Sequence, residues 1–70
     1  MDYTLSTFIK TKRKTLKLTQ FELSEKAGVG IRFIRELETG KKTLRIDKIN
    51  QVLDLFGYEL GPVPLTSSIT

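Results

Sequence analysis

Two arginines near the middle of the chain, Arg32 and Arg35, are the residues best suited to bind a ligand. At 100° per residue in a helix, they point to the same side as Thr39. The opposite side of that helix is apolar and carries Phe33, Ile34 and Leu37. A guanidinium group can donate two hydrogen bonds to O6 and N7 of guanine in the major groove of DNA. The pattern therefore predicts two base contacts, although solvated helix charges explain exposed arginines about equally well.

The residue types that most often carry out catalysis are missing. The chain has neither His nor Cys, which removes the commonest general base and the most reactive nucleophile. Glu22 with Glu25 and Glu36 with Glu38 remain as pairs of carboxylates, but both pairs lie beside basic residues in amphipathic segments. We interpret all four as solvated helix charges. The sequence therefore predicts no enzyme, and neither a metal nor another cofactor.

Capping residues predict four helices. Thr19 and Glu22 have the spacing of a capping box, which starts the second helix. Gly28 and Gly40 suit left-handed C-caps after the second and third helices, and Gly57 ends the fourth. The first three predicted helices span about Thr4 to Thr15, Thr19 as N-cap to Ala27, and Ile31 to Thr39. The fourth covers about a dozen residues before Gly57.

Apolar stripes on these helices predict the core. In the first helix Leu5 and Ile9 share a face with the stem of Arg13. The fourth helix has a wide stripe: Ile46, Ile49, Leu53 and Phe56, broadened by Val52 and Leu55. After it, the alternation over Tyr58 to Leu60 predicts a short strand, and Pro62 and Pro64 restrict that strand to an edge. We expect an all-α bundle of four to five helices with one C-terminal β-strand.

Length and charge are those of one small basic domain. The chain has 70 residues, 39% of them hydrophobic, and a net charge of +4. A chain of this size buries only about 60% of its unfolded surface, so a second copy would help to complete the core. We expect residues 1–60 to fold together and residues 61–70 to form an extended or disordered tail. With no Cys, no membrane-length apolar run and no signal-like start, a cytoplasmic location is expected.

Two short helices joined by a glycine-containing turn have the outline of a helix-turn-helix DNA reader. Helix N-termini at Gln20 and Gly30 would offer amides to phosphates, while Lys14 and Lys17 would extend the positive field. Ile31 could touch a thymine methyl group or belong to the core. The predicted base contacts are Ile31, Arg32 and Arg35. The predicted phosphate contacts are Arg13, Thr19, Gln20, Gly30, Thr39, Lys41 and Lys42.

Two stretches resemble a known family. The run from Leu18 to Val29, followed by Leu37-Glu38-Thr39-Gly40, resembles the helix-turn-helix of the Cro and λ-repressor type, also called the XRE family. The stretch from Gly28 to Leu60 is similar to the HipB-like antitoxins. Gly30 and Ile31 stand where the family often has polar residues, and Ser24 replaces a small apolar residue, so Ser24 needs a backbone hydrogen-bond partner if it is buried.

The resemblance implies a homodimeric repressor that binds an inverted repeat in double-stranded DNA. It also implies neutralisation of a HipA-like serine/threonine kinase toxin. The terminal strand would pair across the dimer, whose predicted interface contains Val52, Leu55, Phe56, Tyr58 and Leu60. A protein-interaction module that inhibits a kinase with incidental DNA binding, or a plain phage-type repressor without a toxin, remains as an alternative.

Overall fold

Four helices follow one another in the computed structural model, which describes residues 4–41 and 43–62. They are α1 (Leu5–Thr15), α2 (Gln20–Ala27), α3 (Ile31–Thr39) and α4 (Ile46–Leu55). The four predicted helices are confirmed: α2 and α3 have the predicted bounds, α1 begins one residue later, and α4 has 10 residues where about a dozen were expected. None of the helices in these ranges is long and apolar enough to cross a membrane.

The capping box predicted for α2 is present. The Thr19 hydroxyl accepts from the N–H of Glu22 at 3.0 Å, and the Glu22 carboxylate accepts from the N–H of Thr19 at 2.8 Å. At the other end, Gly28 has the left-handed conformation with φ 75°. Only residues 28–30 separate α2 from α3. These local contacts set the short turn between the two helices.

All four helices contribute to the core, in which α3 packs against α1 and α2, and α4 packs against α2. Among the residues that the structure describes, five side chains are fully buried: Ile9, Leu23, Ile34, Leu37 and Val52. The stripe predicted on α4 is only partly correct, because Ile46 is 64% exposed and Leu55 38% exposed. Leu44, which precedes α4, packs against the core, and Ile46 in the first turn of α4 remains in solvent.

The strand predicted at Tyr58 to Leu60 is not supported, since the described residues contain no strand. This segment instead packs against the helices. The N–H of Leu60 donates to Oδ1 of Asn50 at 2.7 Å, which removes a donor that a strand ladder would use. The Tyr58 ring lies edge-on to Phe8, with ring centroids 4.8 Å apart. Residues 63–70 of the predicted tail lie outside the described ranges.

The end of α1 contains a lysine in a conformation that suits glycine. Lys17 has φ 58°, and the N–H groups of Lys17 and Leu18 donate to the carbonyls of Lys14 and Arg13, as in a Schellman motif. A left-handed conformation costs a residue with a Cβ about 1–2 kcal/mol. Glycine avoids this cost, but its greater conformational freedom in the unfolded chain offsets about half of the gain in stability.

Lys17→Gly is therefore expected to raise the free energy of unfolding by about 0.5–1 kcal/mol in urea titrations. Lys14→Gly is the matched control because Lys14 lies inside α1, and there glycine is expected to lower the same quantity by up to about 1 kcal/mol. Equal losses for both variants would contradict this explanation.

Candidate nucleic-acid interface

The outward face of α3 carries the two predicted base-reading arginines. Arg32, Arg35 and Thr39 are exposed, while Ile34 and Leu37 on the opposite side are fully buried or nearly so. Neither guanidinium makes a hydrogen bond or an ion pair with another residue in the described part of the chain. The predicted orientation of α3 is therefore confirmed, and both guanidinium groups are available to a ligand.

The first turn of α3 is open to close approach. Gly30 is the N-cap, and a Cβ placed there would meet no atom within 4 Å. With no capping side chain, the amides of the first turn stay available for an anionic partner. Ile31 is half-buried, so its side chain is neither fully in the core nor fully presented to a ligand.

A buried ion pair connects α3 to α1. Nε of Arg13 lies 2.6 Å from Oε2 of Glu38, and a second guanidinium nitrogen donates to Oε1 at 3.1 Å. The Glu38 side chain is 2% exposed and that of Arg13 13% exposed. The prediction that Glu38 is a solvated helix charge is therefore wrong. Glu38 lies four residues after the core residue Ile34, so both side chains are on the same face of α3. This spacing was the signal in the sequence that Glu38 points inward.

The same carboxylate also holds the start of α2. Nε2 of Gln20 donates to Oε1 of Glu38 at 3.2 Å, and Arg13 donates to the carbonyl of Leu18 at 2.8 Å. Arg13 and Gln20, both predicted phosphate contacts, thus have internal partners that fix where they lie. Each also retains N–H groups beyond those used here, because arginine has five and the glutamine amide has two. Their contact with phosphate stays a prediction.

The other predicted phosphate contacts among the described residues lie at helix ends. Thr19 caps α2, and the Thr39 hydroxyl donates to the carbonyl of Glu36 at 2.9 Å. Lys41 lies 3.3 Å from Oε2 of Glu36 in an exposed ion pair. Lys42 lies outside the described residues. The structure therefore brings Thr39 and Lys41 to the C-terminal end of the arginine face.

Comparison with known proteins identifies this arrangement. A model of the helix-turn-helix family matches residues 9–63, which includes all four helices apart from the first residues of α1. The chain belongs to the XRE-type helix-turn-helix family. It is also 45% identical over 56 residues to an uncharacterized HTH-type transcriptional regulator of Sinorhizobium fredii, covering 80% of this chain and 74% of the relative. In this family assignment α2 and α3 are the helix-turn-helix, a DNA-binding unit.

Two polar side chains, the buried Ser24 and the exposed Gln51, stabilise the helix-turn-helix through hydrogen bonds to its backbone. Ser24 is 3% exposed, and its hydroxyl donates to the carbonyl of Phe21 at 2.7 Å, which meets the requirement predicted for a buried serine. Gln51 of α4 donates to the carbonyls of Ala27 and Gly28, each at 3.0 Å. The role of Gln51 was not predicted, because no local pattern indicates which distant amide reaches a turn.

The predicted dimer residues do not all reach the surface. Val52 has no exposed area because it fills the core, so the structure contradicts its prediction as an interface residue. Leu55, Tyr58 and Leu60 are exposed, and Phe56 is half-buried. Tyr58 and Leu60 line a groove of about 230 Å³ against α1. No residue of α3 lines this groove.

Proposed function

We propose that this protein is a sequence-specific DNA-binding transcriptional repressor that acts in the cytoplasm and has no enzymatic activity. The observation that carries the proposal is the pair of exposed guanidinium groups of Arg32 and Arg35, which have no partner within residues 4–41 and 43–62, on a helix whose other side is buried. A guanidinium donates bidentately to guanine, and a helix of this kind fits the major groove. The relative from Sinorhizobium fredii, named as an HTH-type transcriptional regulator, supports the same function.

Contacts to phosphate would set the position of α3 on the duplex. The free amides at the start of α3, and those that the capping box leaves at the start of α2, suit phosphate oxygens, and the helix dipole strengthens such contacts. Gln20, held by Glu38, lies at the first of these two helix ends. The net charge of +4 adds long-range attraction. These contacts would orient the protein without selecting a sequence.

A salt series with two DNA duplexes tests the proposal. One duplex carries the inverted repeat of the promoter of the gene, and the other has the same composition in scrambled order. The promoter duplex is expected to bind with Kd near 10⁻⁸ M or tighter at physiological salt, and affinity is expected to fall steeply as salt rises. Equal binding of both duplexes would contradict a sequence-specific repressor. It would favour the alternative of an interaction module whose DNA binding is incidental.

We further propose that the repressor is a homodimer. An inverted repeat is matched by two-fold symmetry of the protein that reads it. Leu55, Tyr58 and Leu60 are exposed apolar side chains at the end of α4 and just after it. No residue of α3 lines the groove that Tyr58 and Leu60 border, so contact through this surface would leave the arginine face of each copy free. We propose that this surface forms the dimer contact.

Truncation after Gly57 tests the dimer contact, because it removes Tyr58 and Leu60. The intact chain is expected to sediment with twice the monomer mass, and the truncated chain with the monomer mass. Truncation after Pro62 is the control and should leave the dimer mass unchanged. Circular dichroism establishes that both truncated chains are folded. A folded chain truncated after Gly57 that retains the dimer mass would contradict the proposed contact.

The resemblance to HipB-like antitoxins supports a narrower proposal, that the repressor is the antitoxin of a toxin-antitoxin pair and neutralises a HipA-like kinase. It would then repress its own operon and bind the kinase through a surface other than α3. The neighbouring reading frame tests this role. A HipA-like kinase encoded directly beside the gene supports the antitoxin, and a neighbour of another kind favours a plain phage-type repressor.

A further inference from the structure

Glu36 is an acidic residue at the edge of the arginine face of α3. Four residues along a helix bring a side chain back to within about 40°, so Glu36 lies beside Arg32 and about 6 Å further along the axis. Of the other glutamates, Glu38 is buried, Glu22 and Glu25 lie on α2, and Glu59 follows α4. The surface that would enter the groove therefore has one carboxylate next to a guanidinium group.

The partner of this carboxylate differs from the one that spacing favours. Residues four apart in a helix commonly form an ion pair, which would join Glu36 to Arg32. In the structure Oε2 of Glu36 instead lies 3.3 Å from Nζ of Lys41, and the Arg32 guanidinium makes no pair within the described residues. The ion pair with Lys41 therefore takes the Glu36 carboxylate, and the Arg32 guanidinium stays available for a ligand. The Lys41 ammonium has three N–H groups, so it can bind Glu36 and a phosphate oxygen together.

Chemistry restricts what a carboxylate can meet in the major groove. An ionised carboxylate only accepts hydrogen bonds, whereas guanine presents only acceptors there and thymine presents an acceptor and a methyl group. Adenine N6 and cytosine N4 are the amino donors, but adenine also places the N7 acceptor beside N6, where it would repel a carboxylate oxygen. Cytosine N4 has no such neighbour, and glutamate is a known partner of this group. A donor and an acceptor side by side on α3 thus match the acceptor and donor edges of G·C pairs.

We propose that Glu36 is a specificity-determining residue that accepts a hydrogen bond from cytosine N4 next to the guanine bound by Arg32. Lys41 is a positioning residue for this contact, because it keeps the carboxylate from pairing with Arg32 and shields it from nearby phosphates. This inference rests on the proposed function and adds a base to the sites that the arginines read.

Selection of bound duplexes from a random double-stranded DNA library tests this inference. The intact wild-type chain is expected to enrich a motif with cytosine at one position adjacent to a guanine. Glu36→Gln is expected to change that position from cytosine to adenine, since glutamine reads adenine. Glu36→Ala is expected to lose roughly 10- to 100-fold of preference at that position alone. Glu25→Gln, the same change at an exposed residue of α2, should keep the wild-type motif.

The outcomes separate this inference from the proposed function. If the wild type enriches a motif and folded Glu36→Gln enriches an identical one, the role of Glu36 is overturned and the repressor stands. If the wild type enriches no motif, both are overturned. Lys41→Gln gives a second measurement that leaves Glu36 in place. It is expected to weaken the preference for the guanine bound by Arg32, because the freed carboxylate then pairs with that arginine.

Discussion

Glu38→Ala is expected to lower the free energy of unfolding by about 3–5 kcal/mol, because it leaves the guanidinium of Arg13 buried without its carboxylate partner. The substitution also removes the hydrogen bond from Gln20 to Glu38, so α1, α2 and α3 lose the side chain that joins them. A chain of 70 residues has a total stability of about 3–10 kcal/mol, so this loss is at least about a third of the total and should lower the midpoints of both urea and thermal unfolding. Urea and thermal titrations followed by circular dichroism measure the effect.

Two controls show whether burial of the ion pair is the reason. Glu36→Ala breaks an exposed ion pair of the same helix and should cost less than about 1 kcal/mol. The double variant Arg13→Met with Glu38→Leu removes both charges together and is expected to regain much of the lost stability. A loss below about 1 kcal/mol for Glu38→Ala would show that the pair contributes little to the fold.

Arg32→Ala and Arg35→Ala are each expected to weaken binding to the promoter duplex by about 1–3 kcal/mol. Each variant should lose sequence preference at one base pair only, because a guanidinium that binds guanine discriminates against the other bases at that position. Binding to scrambled DNA should change little. Both side chains are exposed, so the free energy of unfolding is expected to stay within about 0.5 kcal/mol of the wild type.

Lys26→Ala is the matched control for these arginines, since it removes one positive charge from an exposed position on α2. It should lower binding to promoter and scrambled duplexes by the same small amount. If an arginine variant behaves like Lys26→Ala, with a uniform loss on every sequence, that arginine contacts phosphate and does not read a base.

The local rules of helix capping predicted most of the fold. Thr19, Glu22 and Gly28 act within a few residues of one another, so the ends of α2 follow from sequence alone. The outward direction of Arg32 and Arg35 was also predictable, because the apolar residues of α3 leave only one side for the core.

Features that depend on contacts between distant segments were not predicted. Burial of Glu38 requires Arg13 to arrive from α1, 25 residues earlier, and charge alone suggested a solvated glutamate. The strand expected at Tyr58 to Leu60 had a suitable alternation, but Asn50 of α4 takes the N–H of Leu60. In both cases a tertiary partner decided the outcome, and no local pattern identifies that partner.

Contact between the arginine face of α3 and duplex DNA is tested most directly by nuclear magnetic resonance of the ¹⁵N-labelled protein. On addition of the promoter duplex, the Nε–Hε signals of Arg32 and Arg35 and the amides of the first turn of α3 are predicted to shift most. Signals from Phe8 and Tyr58, at the apolar groove, should change little. The largest shifts at that groove, with unchanged arginine signals, would contradict the account.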